Sequence, residues 1–263
     1  MKTVNYSLND NFKKYFWITE VIWDFVWWQK IVFIVKIWNQ IQVIKLFKDY
    51  WKREIRELNI YKDYNHLEWI PKIIKVEDYN NDKVVFEKYI EWDTLENLKT
   101  CYIWNYELVK NIIVQIISIL TPLWDAWIIH RDLNPKNIII NSSGKVNVID
   151  FWIARDLNLE SLTDTWFQPN TYKFASPEQI LWKKDSISYR SDFFNLWIIA
   201  YYLLYWKLPF WNDKEEIISI FTSWSIEYNT NEDCRFKDFF EKVFTIDISL
   251  RPRSTRMLLN LLP

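Results

Sequence analysis

Half of the 263 residues are apolar, and 33 basic side chains face 34 acidic ones for a formal net charge of -1. A chain of this length has enough apolar material for one large domain or for two lobes sharing a cleft, which excludes a small scaffold held by disulfides or a metal. The balanced charge supplies no bulk attraction for a polyanion, so no nucleic-acid partner is expected and any phosphate must be held locally.

The N-terminal MKTVNYSLNDNFKKYF has no apolar run of the signal-peptide kind, and no continuous apolar stretch of eighteen residues follows, so a soluble chain without a membrane segment is expected. Runs with strand character come next, at 31–37 (IVFIVKI), 41–47 (IQVIKLF), 72–79 (KIIKVEDY) and 83–90 (KVVFEKYI), with one helix predicted from Trp51 to Tyr61. Beyond residue 94 the apolar period becomes helical, as in Val109, Ile112, Ile113, Ile116, Ile117 and Leu120. KVNVIDF at 145–151 alternates like a strand, and Leu196, Ile199, Ala200, Leu203 and Leu204 form a second helical face. No repeat, low-complexity tract or Pro/Gly/Ser linker divides the chain. The reading is one α+β unit: a small β-rich front lobe with one main helix, a larger mostly helical back lobe, and an active cleft between them. Cys101 and Cys234 stand far apart with no CxxC pair or His/Cys cluster, which points away from zinc or redox work and toward a reduced, cytoplasmic setting.

The chemistry is concentrated in HRDLNPKNIII, from His130, and in Asp150-Phe151 at the end of KVNVIDF. Transfer of a phosphoryl group to a hydroxyl needs a carboxylate for the hydroxyl proton, oxygen ligands for Mg2+ and a cation on the phosphates, and all three can be placed here. In these motifs and their order the sequence resembles the protein kinase catalytic domain over about residues 15 to 257. The resemblance implies Asp132 as catalytic base, Asn137 and Asp150 as Mg2+ ligands, Phe151 packed under the site, and His130 as a structural residue. Lys45, ending QVIK, takes the place of the lysine that clamps the ATP phosphates, with a helix glutamate as its partner: Glu54 is preferred over Glu57 in KREIRE. FEKYIEW at 86–92 resembles the hinge, with Phe86 bordering the adenine pocket and the backbone of Glu87 to Tyr89 offering hydrogen bonds. One domain over 1–263 is implied, with a front lobe to about residue 90, a back lobe from about 93, and no room for a sensor domain.

Further landmarks bear on substrate class. Ser/Thr kinases carry a lysine two residues after the base, where this sequence has Asn134; Lys136, four after the base, is assigned to the transferring phosphate instead, as at that spacing in many tyrosine kinases. NTYKFASPEQ at 170–179 resembles the end of an activation segment, with Thr171 as the substrate-positioning threonine, and favours Ser/Thr hydroxyls of proteins as substrate. Asp192 in SDFFNLW is implied to accept hydrogen bonds from the catalytic-loop backbone as well as capping its helix. Arg251 is implied to pair with Glu178, a contact costly to break if buried. Arg131 is a candidate receiver for a phosphate on Ser161, Thr163 or Thr165.

Eighteen Trp and a single Gly, Gly144, make the composition abnormal, since glycine is normally about 7% of residues, roughly eighteen in such a chain. Trp92, Trp127, Trp152, Trp197 and Trp206 fall where the family has glycine. Counting back from Val32, the phosphate loop's glycines fall at Phe25, Trp27 and Lys30, so Trp27, with Trp28 beside it, and Val32 become the nucleotide-facing positions of a degenerate loop. Glycine serves such loops by letting the backbone approach phosphate or adopt φ > 0. Overpacking at about 1 to 3 kcal/mol per site would approach the roughly 5 to 15 kcal/mol that holds a domain together. The expectation is therefore that many of these tryptophans are UGA codons that the source reads as glycine; four Ala beside abundant Ile, Lys and Asn fit an A+T-rich gene.

Three functions compete. An active ATP- and Mg2+-dependent protein kinase is favoured because Lys45, Asp132, Asn137 and Asp150 are all present. A pseudokinase that binds a partner gains ground if Trp27, Trp28 and Trp152 are native. A small-molecule phosphotransferase normally lacks the SPE segment and the Glu178 and Arg251 pair.

Overall fold

The computed structural model describes residues 8–26, 30–47, 52–80, 82–91, 93–151, 155–156, 172–210, 213–223 and 234–263, with the backbone alone for 25, 26, 30, 52–57, 155 and 156. Residues 1–91 and 92–263 form two compact units.

The first unit opens with α1 (Asp10–Tyr15), capped by Asn9, whose side chain accepts from the Phe12 amide at 2.7 Å. An antiparallel sheet follows in the order β1-β2-β3-β5-β4, built from β1 (Ile18–Val26), β2 (Lys30–Ile37), β3 (Gln40–Phe47), β4 (Ile73–Tyr79) and β5 (Asp82–Lys88), with α2 (Lys52–Asp63) between β3 and β4. Strand alternation sends Ile31, Phe33, Val35, Ile44, Leu46, Val84 and Phe86 to one face, where they form a core with Leu8, Phe12 and Phe16. Each such side chain contributes about 1.5 to 3 kcal/mol of apolar burial. The other face carries Lys45 directly across from Val32, with Val43 and Glu87 paired beside it. Neither α1 nor β1 has a clear period. In α1 Phe12 is the one buried residue, and two register shifts interrupt β1.

The second unit holds β6 (Asp93–Thr94), α3 (Leu95–Leu98), α4 (Tyr106–Asp125), β7 (Ile128–Ile129), β8 (Ile138–Ile140), β9 (Val146–Val148), β10 (Arg155–Asp156), α5 (Pro177–Ile180), α6 (Tyr189–Tyr205), α7 (Lys214–Ser223), α8 (Lys237–Val243) and α9 (Thr255–Leu259). Among the described residues α4 is the one helix long and apolar enough to cross a bilayer by length and composition. Its apolar stripe, from Val109 through Ile116 to Trp124, is buried in protein, as in a core helix. A five-stranded sheet in one unit and a helical second unit make the fold α+β, as the sequence led us to expect.

Among the described tryptophans, six share one backbone feature. Nine described non-glycine residues have positive φ, and six are tryptophan: Trp17, Trp38, Trp104, Trp127, Trp182 and Trp206, all between 49° and 60°. Trp17, Trp127, Trp182 and Trp206 close α1, α4, α5 and α6 at or just past the C-cap, where the chain turns left-handed and glycine is the usual residue. Trp38 sits in the two-residue turn between β2 and β3. These six indoles are 51 to 69% exposed, so the overpacking anticipated at Trp127 and Trp206 does not arise: the cost there is backbone strain, about 1 to 2 kcal/mol per residue. Trp197 differs. It lies within α6, is fully buried, and stacks on Phe244 with ring centroids 3.6 Å apart. Trp92 and Trp152 lie outside the described residues.

Replacing Trp127 or Trp206 by glycine is expected to stabilise the protein by about 1 kcal/mol each, read as a rise in the denaturation midpoint with an unchanged denaturant slope.

Candidate active site

In the second unit a short turn at Pro135–Asn137 follows Asn134, whose side-chain oxygen accepts from the Lys136 amide at 3.0 Å. This turn folds the segment back on itself and converges two amides on Asp132. Asn134 Nδ2 donates to Asp132 Oδ1 at 3.2 Å, and Asn137 Nδ2 donates to Asp132 Oδ2 at 3.0 Å. Both carboxylate oxygens are thereby oriented, and Asp132 is 7% exposed. With its nitrogen committed to Asp132, Asn137 has its carbonyl oxygen left as the atom suited to a metal. The Ile149 amide donates to Asn137 O at 2.9 Å, which brings Asp150 beside Asn137. An amide oxygen and a carboxylate form a hard oxygen donor set that fits Mg2+ completed by phosphates and water. Lys136 is exposed at the loop surface.

His130 has both ring nitrogens engaged: Nδ1 accepts from the Asp132 amide at 3.2 Å, and Nε2 lies 3.1 Å from Ile149 O, to which it donates. That pattern requires a neutral imidazole. Phe151, fully buried, packs against it with ring centroids 4.7 Å apart. Arg131 and Asp150 hold positive φ of 68° and 69°. Strain at such residues persists only where surrounding bonds over-determine the backbone, and those bonds are present. Asp192, fully buried, accepts from the His130 amide at 2.9 Å and the Trp124 indole at 2.8 Å through Oδ2, and from the Arg131 amide at 2.9 Å through Oδ1. Burial pushes the Asp192 carboxyl up to about 6, against the downward pull of these three donors. Gln179 adds a fourth tie, donating to Arg131 O at 2.7 Å.

The segment around Glu178 is anchored from the far end of the chain. Arg251 is 1% exposed and grips Glu178 with two parallel bonds, Nη1 to Oε1 at 2.8 Å and Nη2 to Oε2 at 2.9 Å. Its remaining donors reach Thr245 O, Arg190 O and Ile246 O. Burial alone would raise the Glu178 carboxyl, but the guanidinium charge and hydrogen bonds outweigh it and hold it below the ordinary carboxylate range.

In the first unit Lys45 Nζ lies 2.8 Å from Glu87 Oε1 and 3.2 Å from Tyr61 Oη, all three side chains being buried. The geometry reassigns one expected role. Phe86 faces Phe16 on the side of the sheet opposite Lys45, because alternation in β5 puts Glu87, not Phe86, on the lysine's face. Glu87 thereby places a negative charge on Lys45. The side chains of Glu54 and Glu57 lie outside the described residues, as do Trp27 and Trp28. Phe25 and Lys30 of the expected phosphate loop belong to the paired strands β1 and β2, and Tyr89 follows the end of β5. Thr171, Ser161, Thr163 and Thr165 are likewise outside the described residues.

Comparison with known proteins gives the family. The pattern described as "Protein kinase domain" matches residues 27–260. The chain belongs to the protein kinase domain family. It is 30% identical over 155 residues to the "Probable serine/threonine-protein kinase PknB" of Lactococcus lactis, an alignment covering 57% of this chain and 24% of that protein. It is 31% identical over 157 residues to the serine/threonine-protein kinase PrkC of Bacillus subtilis, covering 57% and 23%. The cyclin-dependent kinase G-1 of Oryza sativa subsp. indica is 30% identical over 171 residues, covering 62% and 23%. The matched region thus spans about a quarter of the length of each of these relatives.

Three residues of this kinase domain escaped sequence reasoning. Trp124 looks like one more member of the α4 apolar stripe, and only the fold shows its indole donating to Asp192. Gln179 and Tyr61 carry no local signal at all.

Two outcomes follow for stability. Arg251→Ala leaves the Glu178 carboxylate buried and unpaired and is expected to cost about 3 to 5 kcal/mol, whereas an Arg251→Met, Glu178→Leu double substitution costs less than either single change; denaturant unfolding of the three variants checks this. For Asp192, whose folded pKa is raised, its stabilising contribution is present below the unfolded value and lost as pH rises through about 6. The unfolding free energy should fall by about 3 kcal/mol between roughly pH 4 and 6 from this group. Asp192→Asn should remove that slope while lowering stability at every pH.

Proposed function

We propose that this kinase domain transfers the γ-phosphoryl group of ATP, as its Mg2+ complex, to serine or threonine hydroxyls of protein substrates. The observation that carries the proposal is the Asp132 carboxylate held on both oxygens by Asn134 and Asn137, with Asp150 tied beside Asn137 through Ile149. Asp132 orients the substrate hydroxyl and takes its proton as the bond to phosphorus forms. Asn137 and Asp150 hold the metal, which supplies charge neutralisation on the phosphates. Lys45 binds the phosphates from β3, and exposed Lys136 offers its ammonium to the transferring group in the absence of a lysine at position 134. Buried, neutral His130 shapes the loop and moves no proton. The Ser/Thr preference rests on the SPE segment at 176–178 and on the names of the relatives.

We further propose that the native protein carries glycine at many of the tryptophan positions. The six left-handed tryptophans support this independently of any family pattern. A second reading, a pseudokinase serving as a binding module, is favoured if tryptophan is native at 27, 28 and 152, where indoles would crowd nucleotide and metal.

The gene decides the first point: UGG codons at Trp127, Trp182 and Trp206 would overturn the recoding. For activity, a protein made with glycine at the recoded sites should transfer radiolabelled phosphate from Mg·ATP to a mixed protein substrate. Asp132→Ala should lower that rate by at least about 10²-fold, and Asp150→Ala should abolish incorporation at the Mg2+ concentration that saturates the parent. A parent that folds and binds a protein partner but transfers nothing would establish the pseudokinase.

A further inference from the structure

Gln179 is the third residue of α5 and is 2% exposed, with Ser176 standing just before the helix. Its side-chain oxygen accepts from the Ser176 amide at 2.9 Å and the Ser176 hydroxyl at 3.0 Å, and Asn195 Nδ2 of α6 adds a third donor at 3.3 Å. Its Nε2 points the other way and donates to Arg131 O at 2.7 Å. A backbone N–H on one side and a backbone carbonyl on the other leave this amide one orientation. Asn195, equally buried, also donates to Phe174 O at 2.5 Å, so the turn before α5 and the loop at Arg131 are tied to α6 through the same two amides.

The oxygen half of the Gln179 contact is a helix cap. Glutamate and glutamine both serve at that position, because the cap needs a side-chain oxygen alone. The nitrogen half has no part in capping, and an ionised glutamate has no donor with which to make it. It falls on the carbonyl of the peptide that joins Arg131 to Asp132, whose N–H donates to His130 Nδ1 at 3.2 Å. That peptide is therefore held at both ends. It directly follows a residue at φ 68°, a conformation that persists where surrounding bonds over-determine it. The tilt of this peptide plane sets the direction in which the Asp132 side chain leaves the backbone.

We infer that Gln179 is a positioning residue for Asp132: its nitrogen fixes the peptide plane before the candidate base, while its oxygen caps α5. The inference rests on the phosphoryl-transfer reading above for its effect on rate; its effect on the loop stands without that reading.

Gln179→Glu, in the full chain with glycine at the recoded sites, separates the two halves, since it keeps the cap and sets an oxygen against Arg131 O. Amide hydrogen exchange by NMR is expected to be at least about tenfold faster at Asp132 than in the parent. The Ile180 and Leu181 amides, which donate to Ser176 O and Pro177 O, should exchange at the parental rate. Parental exchange at Asp132, or equal acceleration of all three amides, would overturn the inference, the second by reducing Gln179 to a cap. On the kinetic side, kcat per folded molecule should fall about tenfold or more, with KM for Mg·ATP within about twofold of the parent. Ser254→Ala, which removes the cap of α9, measures destabilisation alone and should leave kcat per folded molecule parental. Parental kcat in folded Gln179→Glu, or an equal loss in Ser254→Ala, would defeat the positioning role. If Gln179→Glu does not fold, Gln179→Met, which lacks both halves, decides: faster Asp132 exchange with lowered kcat supports the inference and parental values oppose it. A parent that transfers no phosphate defeats the phosphoryl-transfer reading, and exchange at Asp132 then decides the inference by itself.

Discussion

The second unit depends on one buried carboxylate. Asp192 stands in the first turn of α6 and takes three hydrogen bonds, two from consecutive amides at His130 and Arg131 and one from the Trp124 indole. An amide left without a partner in such an interior costs free energy comparable to a lost hydrogen bond, so these bonds hold Arg131 at positive φ where the chain alone would relax. Everything downstream inherits that geometry. The Asp132 amide meets His130 Nδ1, the imidazole meets Ile149 O, and Ile149 returns a bond to Asn137. The burial that raises the Asp192 carboxyl is thus a direct consequence of its use as a backbone anchor.

Buried charge is handled in the same way in both units: each ionic group is held by partners on elements that are themselves pinned. Arg251 reaches Glu178 across 73 residues of sequence with both carboxylate oxygens engaged. Lys45 meets Glu87 across a sheet whose register fixes the distance. Unpaired, either charge would carry a desolvation penalty of several kcal/mol, so the fold and the candidate catalytic groups are stabilised by the same contacts.

The tryptophans show what a backbone asks for independently of which side chain is written there. At Trp17, Trp127, Trp182 and Trp206 the helix ends turn left-handed, and the indoles are accommodated by pointing into solvent. Steric room is not the constraint at these sites; the dihedral angle is. Trp197 shows the converse, a helical backbone whose buried side chain is absorbed by a stack of aromatic rings.

By itself the sequence determined the α+β class, the helices with long apolar periods such as α4 and α6, and the residue types of the catalytic segment, because periodicity and fixed spacing are local properties of a chain. It also marked the glycine-like positions at Trp127 and Trp206, from their place in the motif order. The short α1 and the bulged β1 left no period to read. Only the tertiary structure decided which face of β5 meets Lys45, turning Phe86 into core and placing Glu87 on the lysine's face, since a strand's facing is set by what packs on each side of the sheet. It likewise decided that Trp124 and Gln179 secure the candidate catalytic loop, contacts between residues dozens of positions apart that no local pattern encodes.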